Sequence, residues 1–246
     1  MNLLIRAACV ALLAACTLAP VAQANVLVGG TRVVLPAKEG EVTLRLTNDN
    51  TLPALVQAWI DRGDPKATPD SVDTPFLVTP PMFRMEPQRD QSLRILYTRE
   101  PLPADRESLF WLNVLEVPPK PADLEAEGKN YMQLAVRSRL KLFFRPAGLE
   151  GDPLKAPGLV TFRAVSDNGA VLVVKNPTPY YITFNEVTVD VGGKAYTAET
   201  GMVEPKGELR LRVTGLTTPP VAGAAVRFSA INDFGASSAF TGVVAP

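Results

Sequence analysis

Apolar and polar positions alternate one by one along most of this chain, and no stretch sustains the 3.6-residue apolar stripe of an amphipathic helix. The longest alternation is Asn130 to Pro146, NYMQLAVRSRLKLFFRP. Its even positions are Met132, Leu134, Val136, Ser138, Leu140, Leu142 and Phe144, and its odd positions are Tyr131, Gln133, Ala135, Arg137, Arg139, Lys141, Phe143 and Arg145. A period of two predicts a β-strand. At roughly 3.3 Å per residue it would run about 50 Å, far beyond the usual five or six residues. Such a strand either crosses a whole domain with its even face in the core or offers an edge to another chain.

The same reading predicts strands at Val26–Leu35, Glu41–Asn48, Ala54–Asp61, Phe76–Phe83, Gln91–Tyr97, Ser108–Val117 and Tyr131–Phe144, separated by Pro, Gly, Asn and Asp. Seven such strands describe an immunoglobulin-like sandwich over residues 25–146. The insert before the seventh, PPKPADLEAEGKN, is polar and proline-bearing and reads as a loop. Residues 147–158, AGLEGDPLKAPG, read as a linker. A second series follows over 159–246, with strands at Leu159–Ser166, Val171–Asn176, Tyr181–Val191, Lys194–Thr200, Glu208–Val213, Ala225–Asn232 and Ser237–Val243. Asn168-Gly169 and Gly192-Gly193 are two-residue hairpin signals, and Asn176-Pro177-Thr178-Pro179 reads as a rigid corner in which an X–Pro bond could be cis. The expected fold is all-β, two immunoglobulin-like sandwiches in tandem.

Residues 1–24 carry a lone basic Arg6, an apolar run from Ala7 to Ala15 and the ending Ala22-Gln23-Ala24, the pattern of a secretory signal peptide that leaves Asn25 as the mature N-terminus. Leu13-Ala14-Ala15-Cys16 also resembles a lipoprotein cleavage box, the alternative in which Cys16 is acylated. Both cysteines, Cys9 and Cys16, fall in this leader, so no disulfide supports the remainder. Its stability must come from a core, and 46% apolar residues over the chain supply one. Once Arg6 is removed, one fewer basic residue remains than the 25 acidic ones, which gives no field to attract nucleic acid.

The absence of histidine and of any later cysteine excludes Ser-His-Asp and Cys-His nucleophiles and the usual zinc and copper ligand sets. No pair of carboxylates stands out for glycoside hydrolysis, and no phosphate-binding or calcium loop is present. The chain reads as a non-enzyme without cofactor or metal. Lys141 and Arg145 share one face of the long strand, and Arg32 lies in the first strand of the same sandwich. Each could be a solvated side chain on a sheet face, or Arg32 and Lys141 could converge between the two domains on an anionic group. Periodicity leaves both open.

Five blocks, in order, carry a resemblance: Thr31-Arg32-Val33-Val34-Leu35-Pro36, Arg106-Glu107-Ser108-Leu109-Phe110-Trp111-Leu112-Asn113, Arg139-Leu140-Lys141-Leu142-Phe143-Phe144-Arg145-Pro146, Asn176-Pro177-Thr178-Pro179-Tyr180-Tyr181 and Ile231-Asn232-Asp233-Phe234-Gly235. Together they resemble the PapD-like periplasmic pilus chaperones over essentially the whole chain beyond the leader. The resemblance implies a boomerang of two immunoglobulin-like domains that lends its long strand to an incomplete pilus or fimbrial subunit, completes the subunit fold and passes it to an outer-membrane usher. It places the anchor for the subunit's C-terminal carboxylate on Arg32 and Lys141, and the alternating donor side chains on Met132, Leu134 and Val136. It also implies an interdomain charge cluster of Glu107, Arg145 and Asp233. Met132 departs from the expected branched aliphatic residue. The insert before the long strand resembles the family branch with a short F1–G1 loop.

The donor row agrees with the parity of the residues, since an exposed apolar row without such a role would favour aggregation. Self-association through the free donor strand is a further possibility. A pilus subunit or adhesin would also be a secreted sandwich, but would need a disulfide and an N-terminal donor extension. A carbohydrate-binding module would present exposed aromatics, whereas Trp59 and Trp111 sit in strand-like runs and are expected in the core.

Overall fold

The computed structural model describes residues 26–120, 130 and 132–246. The leader, including Cys16, and most of the 118–130 insert therefore lie outside the described residues, as does Tyr131. The first sandwich is built from β1 (Val26–Val28), β2 (Arg32–Pro36), β3 (Glu41–Asn48), β4 (Ala54–Asp61), β5 (Phe76–Thr79), β6 (Met82–Met85), β7 (Asp90–Tyr97), β8 (Ser108–Val117) and β9 (Val136–Arg145). One sheet has the order β1-β3-β7-β5 and the other β2-β9-β8-β4-β6.

Two expected strands are each divided between the sheets. Val26–Leu35 becomes β1 on one sheet and β2 on the other, with the crossing at Gly29-Gly30. A Cβ at Gly29 would stand 2.9 Å from the Arg45 carbonyl oxygen, so the strand can change sheets here only through a residue without a side chain. Phe76–Phe83 likewise becomes β5 and β6 around Pro80-Pro81, where neither residue has an N–H for a ladder. The cis X–Pro bond among the described residues is Thr79–Pro80, not one in the 176–179 corner. That corner is held instead by the Asn176 side chain, which donates to the carbonyls of Tyr180 (2.7 Å) and Glu204 (3.0 Å) and accepts from Thr178.

The second sandwich comprises β10 (Thr161–Ser166), β11 (Ala170–Lys175), β12 (Ile182–Val191), β13 (Lys194–Thr197), β14 (Gly201–Val203), β15 (Glu208–Arg212), β16 (Ala225–Ile231) and β17 (Ser237–Val243). Its sheets are β10-β11-β15 and β13-β12-β16-β17, with β14 also paired to β12. The tandem all-β arrangement follows the sequence pattern. Each sandwich closes on its own core, one around Leu35, Leu46, Val56, Leu93, Ile95, Leu112 and Leu142, the other around Phe162, Leu172, Val174, Val187 and Leu211. Ala156 belongs to the second core and Leu149 packs against it, so this connecting stretch is seated on the second sandwich.

The long strand is shorter than its alternation predicts. β9 begins at Val136, opposite Glu116 of β8, and residues 132–135 lie outside any strand. The cause is on the partner: β8 ends at Val117, and Pro118-Pro119 have no N–H to continue the ladder. Trp59 is buried as expected, at 7% exposed, and Trp111 is half-buried, but neither belongs to the core cluster between the sheets. In β4 the even residues Ala54, Val56, Ala58 and Ile60 fill that core, which leaves odd Trp59 on the outer face.

Within β9 and the residues before it, one parity meets two environments. Leu140, Leu142 and Phe144 are buried, while Val136, Leu134 and Met132 are 42%, 67% and 83% exposed. The same substitution on the two halves of this face should therefore separate them. Leu142→Ala removes a fully buried side chain and is expected to cost about 2–5 kcal/mol in denaturant unfolding, whereas Leu134→Glu should stay within about 0.5 kcal/mol of the parent.

Candidate functional site

β2 and β9 pair in parallel, with Arg32 opposite Lys141 and Pro36 opposite Arg145. This register sets two cations side by side on neighbouring strands. Facing them across the domain boundary are Thr183 of β12 and Ile231 of β16, themselves cross-strand partners. The Lys141 ammonium donates to Thr183 Oγ1 at 3.2 Å, and Arg32 Nη1 donates to the Ile231 carbonyl at 3.0 Å. The Arg32 guanidinium also lies 5.8 Å from the Phe143 ring centre, and its buried Nε has no hydrogen-bond partner.

The electrostatics of this pair are unfavourable as they stand. Burial and then the adjacent Arg32 push the Lys141 ammonium down to about 8. Burial also pushes the Arg32 guanidinium below its ordinary value, against the pull of Asp233 and Glu107. No carboxylate among the described residues forms an ion pair with either. Two half-buried cations with free donors would be relieved by an anion placed between them.

Next to the pair, Arg145 closes the domain boundary. Its Nε donates to Glu107 Oε1 at 2.7 Å, and its Nη1 and Nη2 donate to the two Asp233 oxygens at 2.7 and 2.9 Å. The second Glu107 oxygen accepts the Tyr181 N–H at 2.8 Å, and the Glu107 N–H donates to Pro179 O at 2.9 Å. Burial raises the Glu107 carboxyl above its usual range against the attraction of Arg145. Burial would lower the Arg145 guanidinium, but its bonds to Asp233 and the charge of Glu107 overcome that and raise it. Phe143 and Tyr181 add a ring contact at 5.6 Å. The turn that carries Asp233 comes so close to β2 that a Cβ at Gly235, where φ is +82°, would lie 2.6 Å from Thr31 Oγ1. The structure thus brings Arg32 to Lys141 and brings Glu107, Arg145 and Asp233 together.

The third group of residues lies along the edge of β9. From Lys141 to Arg145 the strand has β2 on one side and β8 on the other, but from Val136 to Leu140 it pairs, among the described residues, with β8 alone. That open edge ends at the two cations, and its apolar side chains continue the parity of the core. Thr183 and the Ile231 carbonyl, which position the cations, gave no sequence signal, being ordinary positions of alternating strands.

The interdomain cluster makes a measurable distinction. Arg145→Ala leaves the buried Glu107 carboxylate without its cation and should cost about 3–5 kcal/mol in denaturant unfolding. Arg145→Met combined with Glu107→Gln removes both charges and should cost clearly less.

A comparison with known families finds the description "Pili and flagellar-assembly chaperone, PapD N-terminal domain" over residues 25–150 and "Pili assembly chaperone PapD, C-terminal domain" over residues 155–241. The chain is 44% identical over 235 residues to the "Chaperone protein FimB/FhaD" of Bordetella pertussis, covering 93% of this chain and 92% of that protein. Among solved structures it is similar to the YadV chaperone, with a TM-score of 0.77 and 38% identity over 90% of this chain and 100% of that one. It is also similar to the structure of the Salmonella enterica SafA pilin in complex with the SafB chaperone, with a TM-score of 0.73 and 32% identity over 92% of this chain and 99% of that one. With both domain models matched in order along an uninterrupted pair of sandwiches, the chain belongs to the PapD family of pilus-assembly chaperones.

Proposed function

We propose that this chain is a periplasmic chaperone that completes pilus or fimbrial subunits with its own strand and hands them to an outer-membrane usher. The observation that carries this reading is the coincidence of three features on β9. Among the described residues they are a strand edge free from Val136 to Leu140, an exposed apolar row at and just before the start of that strand, and two cations without a counter-ion where the free edge ends. In this reading residues 1–24 direct export, residues 25–146 and 159–246 are the two working domains, and 147–158 join them. The insert before β9 belongs to the short-loop type.

The direction of the captured strand follows from the anchor. A strand added to the free edge lies in line with β2, ahead of Arg32. Its C-terminal carboxylate reaches Arg32 and Lys141 only if it runs parallel to β9, as β2 itself does. The free edge from Val136 to Leu140 accommodates about five residues at roughly 3.3 Å each, and residues 132–135 would lengthen it only by pairing with the subunit. Met132, Leu134 and Val136 then enter the groove left by the subunit's missing strand, and Glu107, Arg145 and Asp233 hold the domains in the orientation that keeps the cleft. The folding of the subunit drives the process, without nucleotide or cofactor. A carbohydrate-binding role finds less support, since Trp59 and Trp111 lie beneath arginine side chains.

Subunit pull-down with Arg32→Ala and Lys141→Ala variants of verified fold tests the anchor. Charge-assisted hydrogen bonds in a partly desolvated site are worth about 1.5–3 kcal/mol, so each variant should weaken capture at least about tenfold. Undiminished capture by both would sink the anchor. Lys141→Arg keeps the charge with altered donor geometry and should be intermediate.

The pH dependence has a defined sign. In the free protein the Lys141 ammonium titrates at about 8, and a bound carboxylate favours its charged form. Affinity should therefore be level below about 8 and fall as pH rises above it, by up to about tenfold per unit. Lys141→Arg should flatten the profile, which titration calorimetry across pH 7 to 10 checks.

A further inference from the structure

The edge of β9 that the proposed function uses is an exposed strand with one hydrogen-bonded neighbour. Such a strand frays unless something other than its ladder holds it down. Its odd-numbered side chains supply that hold. Arg137 donates from Nε and Nη2 to Asn113 Oδ1 at 2.9 and 2.6 Å and from Nη1 to the Pro65 carbonyl at 2.8 Å. Its guanidinium carbon sits 4.9 Å from the Trp59 ring centre. Arg139 donates to both oxygens of Asp61, at 3.3 and 2.6 Å, and lies 4.3 Å from the Trp111 ring centre. Asp61 is only 1% exposed and also accepts from Asn113 Nδ2 at 2.7 Å and the Gly63 N–H at 2.6 Å.

The register makes these contacts a brace. Asn113 of β8 is the cross-strand partner of both Arg139 and Trp59, and Trp111 is the partner of both Lys141 and Asp61. Each arginine therefore lies flat over β8 and bonds to groups on β4 or in the 62–65 loop, tying three strands together on the face away from the core. The Trp59 Nε1 is buried without a partner, so this tryptophan serves through its ring face. All three Arg137 nitrogens donate to protein groups, and Arg139 bonds Asp61 through Nε and Nη2.

We infer that Arg137 and Arg139 are positioning residues that keep Val136–Leu140 in strand geometry before a subunit arrives. This rests on the donor-strand reading above. A donor strand already in its bound geometry does not have to be ordered at the moment of capture, which raises affinity without adding a contact to the partner.

The test uses the full mature chain with Arg137→Ala, Arg139→Ala and Asp61→Asn combined, so that no carboxylate is left buried and unpaired. Hydrogen exchange of the free protein should lose protection at the Val136–Leu140 amides while β4, β8 and residues 141–145 stay within about twofold of the parent. Capture of a purified pilus subunit lacking its own final strand should weaken at least about tenfold. A second variant, Arg137→Lys with Arg139→Lys, keeps both charges but loses the planar fork and should regain less than half of the protection. Unchanged exchange, loosening spread evenly through the sandwich, or lost protection with undiminished capture would each overturn the brace, as would full recovery by the lysines. If the parent chain captures no subunit, the donor-strand reading fails on that arm alone, because the exchange arm needs no partner.

Discussion

The site depends on where one parallel pairing stops. β2 reaches β9 only from Lys141 onward, because the chain must first leave the other sheet through Gly29-Gly30. Had β2 started a few residues earlier, its own backbone would occupy the edge beside Val136–Leu140. The termination does two things at once. It leaves an unpaired length of strand, and it sets Arg32 beside Lys141 at the inner end of that length. The open edge and the paired cations are one geometric event, fixed by the register of a five-residue strand.

That arrangement opposes stability, and the rest of the fold carries it. Lys141 is pushed down to about 8 because burial and Arg32 disfavour its charge, and Glu107 is raised because burial disfavours its own. Neither group makes the free protein more stable in proportion to its contacts, since desolvation largely offsets attraction. The two apolar cores provide the folding free energy, and the Arg145 fork converts part of it into a fixed orientation of the domains.

The sequence was legible where a pattern is local. Strict alternation located most strands, and Val136, Leu140, Leu142 and Phe144 of β9 pass along one parity from an exposed residue to buried ones. It misjudged what depends on neighbours. The start of β9 is decided by Pro118-Pro119 on another strand, and the division of Val26–Leu35 is decided by the carbonyl of Arg45. Trp59 reads as core by composition, yet the even residues of β4 own the core face and two arginines cover the tryptophans from outside. Thr183 and Ile231 were invisible, because their part is set by the docking of one sandwich on the other.

The alternation of β9 also acts as a counting device. Lys141, the proposed anchor, is odd and Val136, in the proposed donor row, is even, so an odd number of steps would separate the fixed end from the first plug. Deleting one residue between them would turn every donor side chain to the opposite face, while deleting two would restore the face and displace the row by roughly 6.6 Å. On the proposed reading, any chain that this protein accepts would keep the same arithmetic from its terminal carboxylate to its first gap. On that reading, length changes in the segment between Val136 and Lys141, and in the matching tail of a client, would be permitted only in pairs of residues, so that the two sequences would drift together or not at all.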